Sequence, residues 1–151
     1  MNKKLNDLLN LSVENNAVKV KFNKRNLDGN DPLEDYLDNP DSVNRNWLSW
    51  RGKRNTFVVD QIAVGMVMLS PKLYLLTSIG KVTKNRRMEY GYAYEIEPLK
   101  DYEKLFGKII VKTPTIGRVY CRRYGSIADK LVIHEILPNP YSRTTVEKPV
   151  S

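Results

Sequence analysis

The chain has 151 residues, and its 25 lysines and arginines outnumber 17 acidic residues, which gives a net charge of +8. This length suits one domain with its own hydrophobic core, and the single cysteine excludes an internal disulfide and favours a reducing compartment. A basic excess of this size is typical of proteins with a polyanionic partner, most often nucleic acid, and simple solubility is the alternative.

The N-terminal segment 1–11 lacks the pattern of a signal peptide, because an aspartate and several asparagines interrupt its apolar residues. The longest apolar run, 62–69, is too short to cross a bilayer. We therefore expect a soluble, cytoplasmic protein without a membrane partner.

Two short helices and one strand are predicted in the first 40 residues. Leucine spacing over 3–11 indicates the first helix. A strand with a basic outer face follows, and its apolar residues are Val18, Val20 and Phe22. The second helix begins where Asp31 caps a chain that has Pro32 at its first helical position. Its apolar stripe consists of Leu33, Tyr36 and Leu37.

Acidic charge is segregated in the stretch 28–41, which contains six acids and no base. The simpler interpretation is a solvated helix face. The functional one is a lobe that faces away from a polyanion, and in either case the rest of the chain is more basic than its total charge indicates.

From Thr56 onward the pattern is rich in strands. We expect them over 57–69 (with an interruption near Gly65), 73–83, 90–96, 108–112 and 131–137. A short helix over 98–106 ends at Gly107, and 119–124 suits a strand or a helix equally. This pattern predicts an α+β fold with a small bent mixed or antiparallel sheet or a barrel, and two or three short helices. The domain spans residues 1–138 in this interpretation, and 139–151 form a C-terminal tail or linker.

Most catalytic motifs are missing from the sequence. His134 is the only histidine, and no glycine motif for binding phosphates is present. Cys121 lies beside arginines but is expected to be buried and inert. We therefore predict a protein that is not an enzyme and has no metal or cofactor. A cryptic nuclease that uses Glu95 and Glu97 is the catalytic alternative.

The segment 46–56 combines both tryptophans of the chain with three cations. Flat rings beside cations suit a surface that stacks on bases and neutralises phosphates, or a pocket for one extruded base. The alternative is that Trp47 and Trp50 are core anchors, because tryptophan is heavily buried on average. A predicted strand has Tyr90, Tyr92 and Tyr94 on one face. These rings form a stacking platform if the face is open to solvent, or part of the core if it is covered.

Basic residues form four clusters at strand ends or turns. The clusters are Lys19-Lys21-Lys24-Arg25, Arg51-Lys53-Arg54, Lys81-Lys84-Arg86-Arg87 and Arg118-Arg122-Arg123. The predicted nucleic-acid-binding residues are Trp47, Trp50, Arg51, Lys53, Arg54, Lys84, Arg86, Arg87, Arg122 and Arg123. If the clusters converge on one face, they neutralise a row of phosphates, with DNA favoured over RNA as the partner.

Six segments are distributed in order over residues 1–138: M-N-K-K-L-N-D-L-L-N-L (1–11), N-W-L-S-W-R (46–51), F-V-V-D-Q-I-A-V-G-M-V-M-L (57–69), Y-L-L-T-S-I-G-K-V-T-K (74–84), Y-E-I-E-P-L-K-D-Y-E-K-L-F-G-K-I-I-V-K (94–112) and V-I-H-E-I-L-P (132–138). They resemble the region that precedes the catalytic domain in a group of bacterial proteins with a GIY-YIG nuclease domain. The resemblance implies a recognition role. Segments 58–67 and 73–83 are also similar to PUA-like barrels, some of which read modified bases, although this is an analogy of fold alone.

The nuclease domain itself has no counterpart in this sequence. Residues 91–94, G-Y-A-Y, are only superficially similar to its first motif, and no Y-I-G follows. We therefore expect a non-catalytic DNA-binding recognition domain of a nuclease or restriction-type defence system. One alternative is a stand-alone, phage-type inhibitor that binds a nuclease or a nuclease–RNA complex. Another is an RNA-binding barrel domain.

Overall fold

The computed structural model describes residues 3–11, 18–24, 31–50, 57–89, 91–114 and 121–145, with the backbone alone at 48–50. Four short α-helices lie at α1 Leu5–Leu9, α2 Pro32–Asp38, α3 Pro40–Arg45 and α4 Tyr124–Ile127. Short 3₁₀ helices lie at Lys100–Leu105 and Ala128–Lys130. Eight strands lie at β1 Val18–Asn23, β2 Asn46–Trp50, β3 Ile62–Ser70, β4 Leu73–Met88, β5 Gly91–Pro98, β6 Ile109–Lys112, β7 Cys121–Arg123 and β8 Val132–Ile136.

Helices α2 and α3 both begin with a side-chain cap followed by proline. The Asp31 carboxylate accepts the Leu33 backbone N–H at 3.1 Å, as the sequence predicts. The Asn39 side chain accepts the Ser42 N–H at 3.4 Å and starts α3 in the same way. Helix α3 carries the same start signal as α2, yet it was not among the predicted elements.

The eight strands form one mixed sheet. The order of paired strands is β2-β5-β4-β3-β1-β7. Strand β6 pairs with the first residues of β4, Leu73–Leu75, and also with β8. Strands β1 and β3 are parallel, and the other described pairs are antiparallel. The prediction of an α+β fold with a small bent mixed sheet is confirmed.

The sheet curls around Trp47, and we call the face that carries this residue the inner face. Strands β2 and β3 are three strand spacings apart in the strand order, which is about 14 Å in a flat sheet. Nevertheless, a methyl group built on Gly65 of β3 would lie 2.8 Å from Cζ2 of Trp47. Only a strongly curled sheet brings the indole ring of β2 onto the backbone of β3.

Two further features account for this curl. The pairing of β3 with β4 shifts register between Gly65 and Met66, and that of β4 with β5 shifts between Val82 and Lys84. Such bulges bend a strand and increase its twist. The predicted interruption near Gly65 is therefore confirmed as a bulge within a continuous strand.

Three groups of buried side chains form the core. The largest fills the outer face of the sheet beneath α1 and α4 and includes Val20, Val64 and Tyr124. The second lies under α2 around Tyr36 and Leu75. The third occupies the curl, and its members are Trp47, Phe57, Ala63, Val82, Tyr94 and Ile96.

Several element boundaries differ from the predicted ones. Strand β3 begins at Ile62, because 57–61 form a turn, and β4 continues five residues beyond the predicted end, to Met88. Within the ambiguous stretch 119–124, the described residues 121–124 contain both alternatives, since β7 ends at Arg123 and α4 begins at Tyr124.

The start of the predicted tail contacts the domain. The Tyr141 N–H donates to the Gly107 carbonyl at 2.7 Å, and Arg143 donates to Glu34 at 2.8 Å. Residues 146–151 lie outside the described part, so the boundary at 138 stays a prediction.

Candidate nucleic-acid interface

Strands β1 and β7 pair side by side and bring two of the four basic clusters together. Lys19 lies opposite Arg123, and Lys21 lies opposite Cys121. We call Lys19, Lys21, Lys24, Arg122 and Arg123 the basic edge. Neither β1 nor β7 contains an acidic residue. The segments with Arg25 and Arg118 lie outside the described residues.

Lys19 and Arg123 are like charges at directly opposing positions of an antiparallel pair. Opposing residues of such a pair point to the same face, with Cβ atoms about 5 Å apart. Two cations in this arrangement destabilise the pair, whereas opposite charges would stabilise it. Arg123 is exposed and has no ion-pair partner among the described residues.

Arg122 points to the other face of the sheet, because it lies opposite Val20 of the outer core. It is half-buried, and its buried Nε has no hydrogen-bond partner among the described residues. Burial lowers the pKa of Lys24, and the charge of Arg122 lowers it further. The edge strand therefore concentrates positive charge on both of its faces.

Lys21 extends over the ring of Trp47 in the curl of the sheet. Its Nζ lies 5.6 Å from the ring centroid, a cation–π distance. Burial lowers the pKa of Lys21 to about 8, and the neighbouring Cys121 acts in the opposite direction. Burial raises the pKa of the Cys121 thiol, consistent with the predicted inert cysteine.

Trp47 itself is a core residue. Its side chain is 6 % exposed, and its ring packs edge-on against Phe57 at 5.5 Å between centroids. It therefore matches the core-anchor alternative, although it also lines an open cleft with Asn46 and Tyr94. The side chain of Trp50 and the residues Arg51, Lys53 and Arg54 lie outside the described part of the chain, so their predicted roles stay predictions.

The remaining predicted residues lie at the distal end of β4, beyond the start of β3. Lys84 lies opposite Glu95, Arg86 opposite Ala93, and Arg87 opposite Tyr92. Alternation along the strands places Arg87 on the inner face with Trp47 and puts Lys84 and Arg86 on the outer face. We call Lys84, Arg86 and Arg87 the distal cations.

The distal cations are partly balanced by acids. Lys84 Nζ lies 3.8 Å from Glu95, and both side chains are more than half exposed, so this ion pair contributes little to stability. Lys84 and Arg86 line an open cleft of about 600 Å³ together with Asn46, Glu95 and Val59. Arg86 and Arg87 form no ion pair within the described residues.

The tyrosine side chains of β5 are mostly buried. Tyr94 is buried and packs edge-on against Phe57, while half-buried Tyr92 stacks on Tyr94 at 6.4 Å between centroids. Tyr90 lies outside the described residues. The structure therefore favours core over a stacking platform for this strand.

Residues considered for catalysis do not converge. Glu95 and Glu97 lie opposite Lys84 and Lys81 on exposed strand positions. His134 is half-buried in β8, as expected for a strand residue. In the described ranges, no three acidic, cysteine or histidine side chains cluster as a metal site would require.

Two of the four basic clusters are thus brought together at β1 and β7, and the third lies across the sheet on β4. The lysines of β1 belong to a cluster recognised in the sequence, but they were not among the residues predicted to bind. The missing information was the pairing of β1 with β7, which joins segments about 100 residues apart. No helix in the described part of the chain has the length and apolar content to cross a membrane.

No protein-family model, no curated protein and no solved structure matches this chain. The resemblance to GIY-YIG-associated proteins therefore stays a prediction.

Proposed function

We propose that this protein is a non-catalytic DNA-binding recognition domain, and that the basic edge is its main phosphate-binding surface. The observation that carries this proposal is the cross-strand pair of Lys19 and Arg123. Like charges at opposing positions repel each other, and neither strand contains an acid. A bound polyanion removes this repulsion.

Arg122 supports the same function from the other face of β7. A buried guanidinium nitrogen without a hydrogen-bond partner carries a desolvation cost. Arg122 as a whole is half-buried, so its other N–H groups can donate to a phosphate at the surface. Phosphate contacts of this kind position a protein on nucleic acid, and they give the complex a strong dependence on salt.

The distal cations provide a second contact region in this proposal. Arg86 and Arg87 point to opposite faces of β4, so each can reach a different part of a bound backbone. Membership of a nuclease or restriction-type system is what the sequence resemblance implies, and it belongs to the proposal on that ground alone.

The test is binding of the purified protein to a labelled DNA duplex across a series of salt concentrations. We expect the logarithm of the binding constant to fall linearly with the logarithm of salt, with a slope of about 0.9 per phosphate contact. Arg123→Glu should weaken binding by about tenfold or more and reduce the slope. Absence of binding at low salt would overturn the proposal.

Lys104→Glu is the matched control, because it makes the same charge change at an exposed position in the 3₁₀ helix Lys100–Leu105. It should leave the affinity nearly unchanged. An RNA duplex of the same length is included as a competitor. If RNA binds more tightly than DNA, the RNA-binding alternative replaces the DNA-binding one.

A further inference from the structure

The turn at 57–61 presents two adjacent valines to solvent. Val58 is 55 % exposed and Val59 is 46 % exposed. Among the described residues, the other large apolar side chains with comparable exposure are Met88 and Ile136. A pair of exposed apolar side chains at a turn tip has an unfavourable contact with water, which binding can remove.

The valine turn is rigidly built. The Gln61 N–H donates to the Val58 carbonyl at 3.1 Å, and the Gln61 side-chain oxygen accepts the Val58 N–H at 3.2 Å. The Asp60 N–H donates to the Val82 carbonyl at 2.7 Å, which ties the turn to β4. Beneath the tip, Phe57 is 1 % exposed and packs on Trp47.

The turn also contains a left-handed residue. Asp60 has φ of 75°, in a region that aspartate adopts more readily than most other non-glycine residues. The Asp60 carboxylate lies 3.4 Å from Lys81 Nζ, so its charge is partly balanced. Hydrogen bonds and an ion pair thus hold the turn on β4, with the two valines exposed.

Cations flank this turn on both sides. The turn leads directly into β3, whose first residue, Ile62, pairs with Val18 of β1 on one side and Lys81 of β4 on the other. Lys19 follows Val18 and faces Arg123, so the basic edge lies on the first side. On the second side, Val59 shares a cleft with Lys84 and Arg86.

We propose that Val58 and Val59 form an apolar wedge that inserts at a base step of duplex DNA while the flanking cations hold its phosphates. This inference rests on the proposed function. Wedges of apolar side chains partly unstack one step and kink the duplex, and the bent duplex then contacts more of the protein. A rigid tip between two phosphate-binding regions meets the mechanical requirement, because the phosphates on either side are held while the step opens.

The test compares the wild type with the double variant Val58→Thr/Val59→Thr. Threonine retains the β-branched shape that the turn accommodates but replaces a methyl group with a hydroxyl on each side chain. Ile136→Thr is the matched control, since Ile136 is also 55 % exposed but lies in β8, near the opposite end of β4. Circular dichroism and thermal melting check that all three proteins fold alike.

Three properties of the complexes are measured. They are the affinity across a salt series, the end-to-end distance of a doubly labelled duplex by energy transfer, and the fluorescence of 2-aminopurine placed at successive steps. We expect the wild type to shorten the end-to-end distance and to raise the fluorescence at one step. The double variant should bind about tenfold more weakly with an unchanged salt slope, and both signals should be lost.

Other outcomes overturn the wedge. If the double variant bends the duplex and binds it as the wild type does, the valines do not insert. If the double variant binds more weakly and its affinity also depends less on salt, the turn only positions the cations. If Ile136→Thr has the same effect, the change is not specific to the turn. If the wild type binds no duplex, the proposed function itself fails, and this result is distinct from the other three.

Discussion

The acidic helices α2 and α3 and the basic edge at β1 and β7 both carry runs of like charge, but the fold treats them differently. In the acidic region, Arg143 pairs with Glu34 at 2.8 Å and also with Asp38, and Arg45 pairs with Asp41 at 3.0 Å. In the basic edge, Lys19 faces Arg123. Ion pairs thus neutralise part of the acidic charge, whereas the pairing of β1 with β7 brings cations from two distant segments together, so the topology of the sheet decides where positive charge accumulates.

The largest expected effect concerns the curl that supports the basic edge. Gly65→Ala should destabilise the protein by about 2 kcal/mol, because the new methyl group lies 2.8 Å from Cζ2 of Trp47. Urea unfolding measures this loss. The exposed helical glycine Gly125→Ala is the control, and it should be neutral or slightly stabilising.

The same substitution in a Trp47→Phe background sharpens the test. The smaller ring makes room for the methyl group, so the double variant should be more stable than the sum of the single effects predicts. Strict additivity would contradict the account of the curl.

The next effect is the dependence of stability on pH that Lys21 imposes. Its pKa is about 8 in the folded protein and about 10.5 in the unfolded chain. Between these values the unfolded chain binds more protons, so stability rises with pH, and the full penalty applies below pH 8. Lys21→Met should therefore be more stable than the wild type at pH 7, and its advantage should shrink towards pH 10.5.

Between pH 8 and pH 10.5, the stability of Lys21→Met relative to the wild type should change by about 2 kcal/mol. This is less than the pKa difference alone implies, because the Lys21 side chain is only half-buried. Unfolding of both proteins at a series of pH values measures it. A difference in stability that stays constant with pH would show that Lys21 titrates normally.

A smaller effect on stability, but a large one on binding, is expected for Arg123→Glu. The glutamate would face Lys19 across the strand pair and turn a repulsion into an attraction worth about 0.5–1 kcal/mol. A gain in melting temperature together with a loss of DNA affinity would show that the edge is kept basic for binding. A loss of both would mean that Arg123 has a structural role.

The smallest effect is expected for Arg143→Ala in the acidic region. The Arg143 side chain and its partners Glu34 and Asp38 are each at least half exposed, and exposed ion pairs contribute little. Neither the melting temperature nor DNA affinity should change beyond experimental error. A marked loss of affinity would mean that the acidic region contributes to DNA binding, and the contrast with the basic edge would be wrong.

Local signals in the sequence were sufficient for much of the fold. The alternation of Val18, Val20 and Phe22 predicted a buried strand face, and Asp31 before Pro32 predicted the start of α2. The end of β4 was missed because Asn85, Arg86 and Arg87 are polar, and in the described part of the chain this stretch is held as a strand by its pairing with β5. Residues 121–123 form a strand through their pairing with β1, which no local pattern contains.

The candidate site was less accessible to sequence reasoning. Trp47 carried a plausible stacking signal, but its burial depends on the approach of Gly65 from a strand three positions away in the sheet. Arg122 and Arg123 were predicted to bind, and their partners Lys19 and Lys24 were not, since only the tertiary pairing unites them. Charge composition thus indicated the class of partner, and the topology located the surface.

The position of the DNA-binding surface can be mapped by the backbone amide chemical shifts of the ¹⁵N-labelled wild-type protein as duplex DNA is added. We expect the largest changes on β1 and β7, a second set at the distal end of β4, and little change on α2 and α3. Changes concentrated on α2, α3 or β8, with β1 and β7 unaffected, would contradict this expectation.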